Sequence, residues 1–416
     1  MILAVDLGST SFKAALFDRR LKMVSQGRQR LIHRFASGGR VEIDAAQVLA
    51  ALRGALAAAR VSAYEIRVIA LTSQAQTFTV VDHSGRPQLP FISWQDMRAG
   101  AECAILKRKL KGFGDHSSFG EILPALQICQ LLRLAPGTGV MPLNLPSYVA
   151  RLWTGVSVTD NNIAAMSGLY SLPLQAWWPA ALHACGLREQ QLPRLIPVGE
   201  QAAETTSAAR RFGLPAGVPV VLAGNDQTAG GYAARLEERR SLLITLGTAQ
   251  VAYSCCKSMP PPGPGVIRGP YPGGKFYRMG ADGCGGNIVN WAETALAGCG
   301  DDSGFFSEAA RAPQGSQGLV FDAALDAGSG SWRNLGLNHT RADLARSILE
   351  GLSRRMADLV RGLGVSVKGQ RVLVAGGGSA QALWRKILAA ELGAKLLVTD
   401  ANPLLGAARM AVLAGG

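Results

Sequence analysis

The chain has 416 residues, 48% of them hydrophobic and 17% charged, which supplies a sizeable core and excludes wholesale disorder. Its 50 glycines follow no Gly-X-Y period, so a collagen-like fibre is excluded as well. The net charge of +14 is spread along the chain, with 24 basic against 15 acidic residues up to Arg235 and 19 against 14 beyond it; no focused nucleic-acid surface is expected from so diffuse a field.

Such a length exceeds one simple core, and two domains are expected. The seven cysteines form neither a CxxC pair nor a Cys/His zinc spacing, so reduced thiols in a cytoplasm are expected. The first strand starts beside Met1, and no targeting segment is expected. No apolar run reaches the roughly 18 residues that a membrane span needs.

Taken in order, Ile2–Val5 is an apolar strand, Asp6–Thr10 a turn and Ser11–Asp18 the return strand. Met23–Leu31 reads as a third strand and Ala45–Arg60 as a helix by its Ala/Leu spacing. Arg67–Leu71 and Phe78–Val81 read as buried strands, with a turn at Asp82–Gly85. The basic run Lys107–Lys111 falls at a helix end, where a solvated face is expected. Leu123–Leu134 and Pro146–Trp153 read as helices, and Val218–Leu222 as a strand that ends in Ala223-Gly224-Asn225-Asp226. A second strand–turn–strand, Leu242–Tyr253, then repeats the first: Thr245-Leu246-Gly247-Thr248-Ala249 lines up with Asp6-Leu7-Gly8-Ser9-Thr10. Two similarly built domains follow from the repeat, residues 1–236 and 237–416, divided near the charged stretch Arg235–Arg240. Met259–Gly274, rich in Pro and Gly, reads as a surface loop or a pair of turns. The second domain closes with a helix over Thr340–Leu363, a strand Arg371–Ala375 running into Gly376-Gly377-Gly378-Ser379, a helix Ala382–Leu392 and a helix Pro403–Leu413.

Three places suit chemistry. The turn after Asp6 offers backbone N–H groups and Ser/Thr hydroxyls that suit phosphate oxygens. Asp6 suits Mg²⁺ and Lys13 suits a phosphate. It is no Walker motif, because a strand follows rather than a helix, and an ordinary hairpin explains it equally until the second turn at Thr248 is counted. Asp226 stands at the C-terminal end of a buried strand and before a helix, where α/β folds bind ligands. There a carboxylate can accept a hydroxyl proton, or cap the helix. The run Gly376–Ser379 suits close approach of a ligand to the backbone or a plain strand-to-helix turn. Trp94-Gln95-Asp96 suits a polar pocket with an aromatic wall, or a half-buried Trp and a turn Asp. The five His show no metal spacing, and no Gly-x-Ser-x-Gly nucleophile context occurs.

In this order the motifs resemble the FGGY family of carbohydrate kinases, over nearly the whole chain. The carriers are Asp6–Lys13, the segment from Gln74 through Gly85-Arg86-Pro87 to Trp94–Ala99, Asn225-Asp226-Gln227, Leu246-Gly247-Thr248, Gly285–Trp291 and Gly376–Ser379. Leu349-Glu350-Gly351-Leu352 and Leu405-Gly406-Ala407-Ala408 are further family-like runs. The resemblance implies an α/β fold of two ribonuclease H-like (actin-like ATPase) domains with an inter-domain cleft. It implies transfer of the γ-phosphoryl of ATP to a sugar or polyol hydroxyl, with ATP and Mg²⁺ required. Carried over residue by residue, Asp226 is the general base, and Asp6 with Asp226 places the metal. Gly8, Ser9, Thr10, Lys13, Gly247 and Thr248 meet phosphates. Gly286, Asn290, Gly377, Gly378 and Ser379 cradle the nucleotide. Gln74, Gln76, Trp94, Asp96, Asp226 and Gln227 line the sugar site.

The acceptor is less determined. Xylulokinase-like members carry Gln-Met-His, and glycerol kinases Gln-Arg-Glu, where this chain has Gln74-Ala75-Gln76. The Trp-x-Asp at Trp94–Asp96 leans towards the ketopentose kinases, hence towards D-xylulose or a related ketose. The chain is also short between Phe321 and Leu335, where the family implies a longer loop with a Gly-Glu-Arg-x-Pro-like run. A nucleotide-binding switch of the same fold, without sugar kinase activity, is the alternative. The partners expected are the small substrate and, at most, a second copy in a homodimer, with neither nucleic acid nor membrane.

Overall fold

The structure is a computed structural model and describes residues 1–137, 139–296, 304–324 and 329–414. Its contacts form two compact units. The first comprises Met1–Ala233, Cys256–Tyr277 and Ala401–Gly416; the second comprises Ala234–Cys255 and Arg278–Asp400. The first passage out of the first unit lies beside the charged stretch Arg235–Arg240, whereas no compositional break announces the two segments that return to it.

In the first unit, a sheet contains β1 (Ile2–Leu7), β2 (Ser11–Phe17), β3 (Met23–Arg30), β4 (Val68–Ser73), β5 (Gln201–Glu204) and β6 (Pro219–Asn225), in the order β5-β6-β4-β1-β2-β3. β1–β2–β3 is an antiparallel meander, while β4 and β6 run parallel to β1. β1 is buried along its whole length, as continuous apolar strands covered on both faces are. Leu3, Val5 and Leu7 share a core with Val48, Ala51, Leu52, Ala55 and Leu56 of α1 (Ala45–Ala58). That three-and-four spacing is the apolar stripe which makes the segment helical and fixes it on the sheet. Alternation along the strand turns Asp6 to the opposite face.

The second unit repeats the plan. β7 (Ser241–Leu246) pairs antiparallel with β8 (Gln250–Cys256) and parallel with β9 (Arg371–Ala375), which pairs parallel with β10 (Leu396–Val398). Three helices of this unit matter below: α3 (Gly286–Ala295), α4 (Arg341–Gly362) and α5 (Ala382–Leu392). α4 opens with a capping box, the Thr340 side chain and Asp343 satisfying each other's backbone N–H groups.

Two expectations change. The helix expected over Leu123–Leu134 begins only at Gln127, because Pro124 holds the preceding residues in a turn. Met259–Gly274 is not simply a surface loop, since it contains the strand Ile267–Tyr271. Arg268 in that strand is only 5% exposed. Its guanidinium donates to the carbonyls of Pro260, Gly114 and Asp115 at 2.6, 2.8 and 3.0 Å, so one buried cation organises a segment whose composition reads as loop. Six cysteines are free thiols, and Cys299 lies outside the described residues. Among the described residues no helix is long and apolar enough to cross a membrane.

Candidate active site

Strand register brings the first group of residues together. Leu7 and Asn225 both stand opposite Ser73, so β1, β4 and β6 end level. The carboxyl ends of parallel strands are where open α/β sheets receive ligands. Asp6 on β1 faces Lys13 across the hairpin, and the Lys13 Nζ lies 3.2 Å from Asp6 Oδ2. Asp6 is buried, and among the described residues its Oδ1 has no hydrogen-bond partner. Burial raises its pKa, while the ammonium of Lys13 opposes the rise. Between these strands the turn residues Gly8 and Ser9 are half-buried and Thr10 is exposed.

Asp226 is the first residue of α2 (Asp226–Ala233). The chain reaches it through a kink: Gly224 has φ +70°, and a Cβ there would lie 2.9 Å from Asn162 Oδ1. Asn162 accepts the backbone N–H and the side-chain amide of Asn225, both at 2.9 Å, and donates to Thr228 Oγ1 at 2.9 Å and to the Pro270 carbonyl at 2.7 Å. Asn225 Oδ1 in turn accepts the Thr228 N–H at 2.8 Å, which is the capping bond of a helix N-terminus. Capping therefore falls to Asn225, and the Asp226 carboxylate accepts the N–H of Gln227 at 2.8 Å and is drawn on by its own backbone N–H. Burial and the negative charge of Asp6 push the Asp226 pKa up to about 7, against the pull of the Gln227 N–H and of Lys13. Sequence inspection missed Asn162, because its part is set by contacts more than 60 residues away in the chain.

The amide side chains of Gln74 and Gln76 follow β4. The Gln74 N–H donates to the Leu7 carbonyl at 3.1 Å, so the residue sits at the strand ends with Asp6. Both amide atoms of buried Gln74, and Oε1 of Gln76, lack partners among the described residues, which is costly unless a ligand completes them. Gln76 holds a left-handed φ of +66°. Trp94 is tied nearby through its backbone N–H to Thr77 Oγ1 at 3.2 Å, and the residue is 42% exposed. Gln227 is half-buried. Asp96 corrects the sequence-based expectation. It is fully buried, and its carboxylate is occupied by the Val41 N–H at 2.9 Å, by the Arg98 guanidinium at 3.0 Å and by the Gln130 amide at 3.2 Å. Such saturation makes Asp96 a fixer of the loop behind Trp94 and not an open wall of a pocket. These bonds hold its pKa below the usual carboxylate range despite burial.

The second unit gathers its own group around the end of β7. The Gly286 N–H donates to the Gly247 carbonyl at 2.8 Å, and the Asn287 N–H to the Thr248 carbonyl at 3.2 Å. A Cβ on Gly286 would meet the Gly247 oxygen at 2.8 Å. From the other side Gly376, with φ +86°, lies so close that a Cβ would sit 2.6 Å from the Leu246 oxygen, and one on Gly378 would strike the Trp384 ring at 2.6 Å. Ser379 Oγ donates to the Gly376 carbonyl at 2.6 Å, while Gly377 faces open space. Asn290 and Trp291 are exposed on α3, one turn beyond Gly286. Three glycine segments, far apart in sequence, thus close on one strand end and leave bare backbone there.

Two family models match this chain: the N-terminal domain of the FGGY family of carbohydrate kinases over residues 1–120 and 143–232, and the C-terminal domain of that family over residues 242–415. The chain belongs to the FGGY family of carbohydrate kinases. It is 26% identical to the xylulose kinase of Escherichia coli K12, with 100% of this chain and 90% of that protein aligned. It is equally 26% identical to the L-fuculokinase of Salmonella typhi, over 96% of this chain and 89% of that protein. The solved xylulose kinase of Rhodospirillum rubrum matches with a TM-score of 0.90 at 24% identity, over 100% of this chain and 90% of that one, which establishes the two-domain α/β fold.

Within this FGGY chain the remaining motif runs are packing devices. Glu350 holds the loop before it, accepting the Gly315 N–H at 2.9 Å and the Ser316 hydroxyl at 3.0 Å. Its neighbour Gly351 lets α4 touch the backbone of Phe321, where a Cβ would come within 2.5 Å. Gly406 does likewise in the first unit: a Cβ there would lie 1.8 Å from the Ala229 carbonyl oxygen, so the helix Pro403–Ala414 is pressed directly against the helix that carries Asp226. Where a longer loop was expected, Val320–Ala324 and Ser329–Arg333 form an antiparallel hairpin; residues 325–328 of that segment lie outside the described residues.

Proposed function

We propose that this FGGY kinase transfers the γ-phosphoryl group of ATP to a hydroxyl of a small ketose, D-xylulose or a close relative, with Asp226 as general base. One observation carries the reading: Asp226 is excused from capping its helix, stands beside Asp6 and has a pKa near 7. A base needs that match to ambient pH. The acceptor hydroxyl gives its proton to the Asp226 carboxylate as its oxygen attacks the γ-phosphorus, and the bond from that phosphorus to the β,γ-bridging oxygen breaks, leaving ADP. Phosphoryl transfer asks mainly for position and charge neutralisation.

The roles divide by residues 1–236 and 237–416. In the first group, Gly8, Ser9, Thr10 and Lys13 meet phosphate oxygens, and Gln74, Gln76, Trp94 and Gln227 receive the sugar. The neutral amides suit hydroxyl groups, and Ala75 leaves room beside them. In the second group, Gly247 and Thr248 meet phosphates, while Gly286, Asn290, Gly377, Gly378 and Ser379 take the nucleotide. Asp6 and Asp226 suit Mg²⁺: their charges destabilise each other, and Asp6 Oδ1 is buried without a partner among the described residues. When bound, the ion would neutralise charge on the transferring phosphates.

The test is ADP release with ATP, Mg²⁺ and a panel of ketoses, aldoses and polyols. D-xylulose or a near ketose is expected to stimulate release, and Asp226→Ala to lower it at least ~100-fold while ATP still binds. ADP release indifferent to every acceptor, or near-normal turnover in Asp226→Ala, would overturn the reading.

A further inference from the structure

The second unit holds a cavity of about 240 Å³ that the proposed kinase chemistry does not use. Arg346, Glu350 and Arg354 of α4 line it, with Lys386, Ile387 and Glu391 of α5. The three α4 residues recur every fourth position and so share one face. Their charges are not equivalent. Glu350 is fully employed, by Gly315, Ser316 and the Arg346 Nε at 2.8 Å. Arg346 is further fixed by the Ala312 carbonyl at 3.1 Å. These two therefore neutralise each other. Arg354 and Lys386 are left, with the single carboxylate of Glu391 against them, and among the described residues none of the three has an ion-pair partner, so the lining keeps a net positive charge. The Arg354 Nη2 is buried without a hydrogen bond to any described residue. A buried guanidinium N–H with no acceptor is costly, and native structures retain one where something else arrives to complete it.

We propose that this cavity is an oxyanion site, built for the phosphate group of inorganic phosphate or of a small phosphate monoester. The Arg354 guanidinium supplies a planar donor fork that suits phosphate oxygens. Lys386 adds a second cation from the facing helix, and the two together outweigh the Glu391 carboxylate, so an anion completes the charge balance. Ile387 offers apolar surface to a short carbon chain. The volume suits a phosphate with a few carbons and is small for a whole nucleotide. The lining of α5 begins at Lys386, four residues into the helix from Ala382, so the cavity lies roughly 6 Å or more along the axis from the glycine turn that precedes it. It is thus separate from the segments assigned to the nucleotide.

Calorimetric titration of the full chain with inorganic phosphate tests this, in low-salt, nucleotide-free buffer. Lys13→Ala is the background, because it weakens phosphate binding at the first unit's hairpin turn. Phosphate is expected to bind Lys13→Ala. Adding Lys386→Glu, an exposed position that leaves folding intact, is expected to weaken binding at least ~tenfold, and Arg354→Gln to do the same. Glycerol 3-phosphate binding more tightly than phosphate would identify an ester ligand, and the reverse the free ion; both support the site. No binding in Lys13→Ala, or binding unchanged by Lys386→Glu, would overturn it.

Discussion

Replacing Asp226 by Asn should make the protein more stable as it destroys turnover. The side chain keeps its shape and its acceptor for the Gln227 N–H, but loses a charge the fold resists. The carboxyl pKa is 3.8 in an open chain and about 7 in the fold, a difference of about three pK steps at about 1.4 kcal/mol each. The ionised form thus costs the fold about 4 kcal/mol, part of it shared with Asp6. The sign follows from proton binding. A carboxyl whose folded pKa is raised holds its proton more tightly when folded, so stability is greatest below pH ~4, falls between pH ~4 and ~7, and is level above. Asn does not titrate. Asp226→Asn should therefore exceed the wild type by about 2–4 kcal/mol at pH 8, with the gap closing as pH falls towards 4. At about 2–4 °C per kcal/mol for a unit of this size, the midpoint should rise by about 4–16 °C. Thermal unfolding of both proteins from pH 4.5 to 8.5, with chelator and without nucleotide, measures it. A variant no more stable at pH 8, or a gap indifferent to pH, would refute the electrostatic argument.

Other perturbations probe the same construction. Asp6→Asn removes the negative neighbour of Asp226, so the acidic limb of its residual kcat/KM profile should move to lower pH than in the wild type; an unmoved limb would uncouple the two carboxyls. Gly406→Ala drives a methyl against the Ala229 carbonyl, 1.8 Å away, and should cost at least ~2 kcal/mol of stability and lower kcat by displacing the helix of Asp226; a denaturation midpoint equal to wild type would count against this. Gly286→Ala meets the Gly247 oxygen at 2.8 Å and should raise the KM for ATP several-fold with little change in the KM for sugar, as initial rates at varied concentrations of each would show.

Much of the architecture was legible because it is written in short-range patterns. The apolar run Ile2–Val5, the turn after Asp6 and the matching turn at Thr248 announced a duplicated hairpin, and the Ala/Leu stripe of Ala45–Ala58 announced its helix. Those signals survive without tertiary context because periodicity and turn chemistry act within a few residues. Met259–Gly274 misled for the same reason: its prolines and glycines read as loop, while the buried Arg268 that straps its strand to Gly114 and Asp115 acts across more than 150 residues.

The sequence by itself determined which residue types are present for chemistry: acids at strand ends, a lysine across a hairpin, and glycines where backbone must come close. Only the tertiary structure decided their employment. Asn162, remote in the chain, positions Asn225 to cap the helix, and that bond leaves Asp226 unspent. Asp96, also a carboxylate and two residues after a tryptophan, is consumed by Arg98, Val41 and Gln130. The physical reason is that a carboxylate's pKa and availability depend on what surrounds it in space, and those neighbours are assembled by strand register and helix packing rather than by adjacency in the chain.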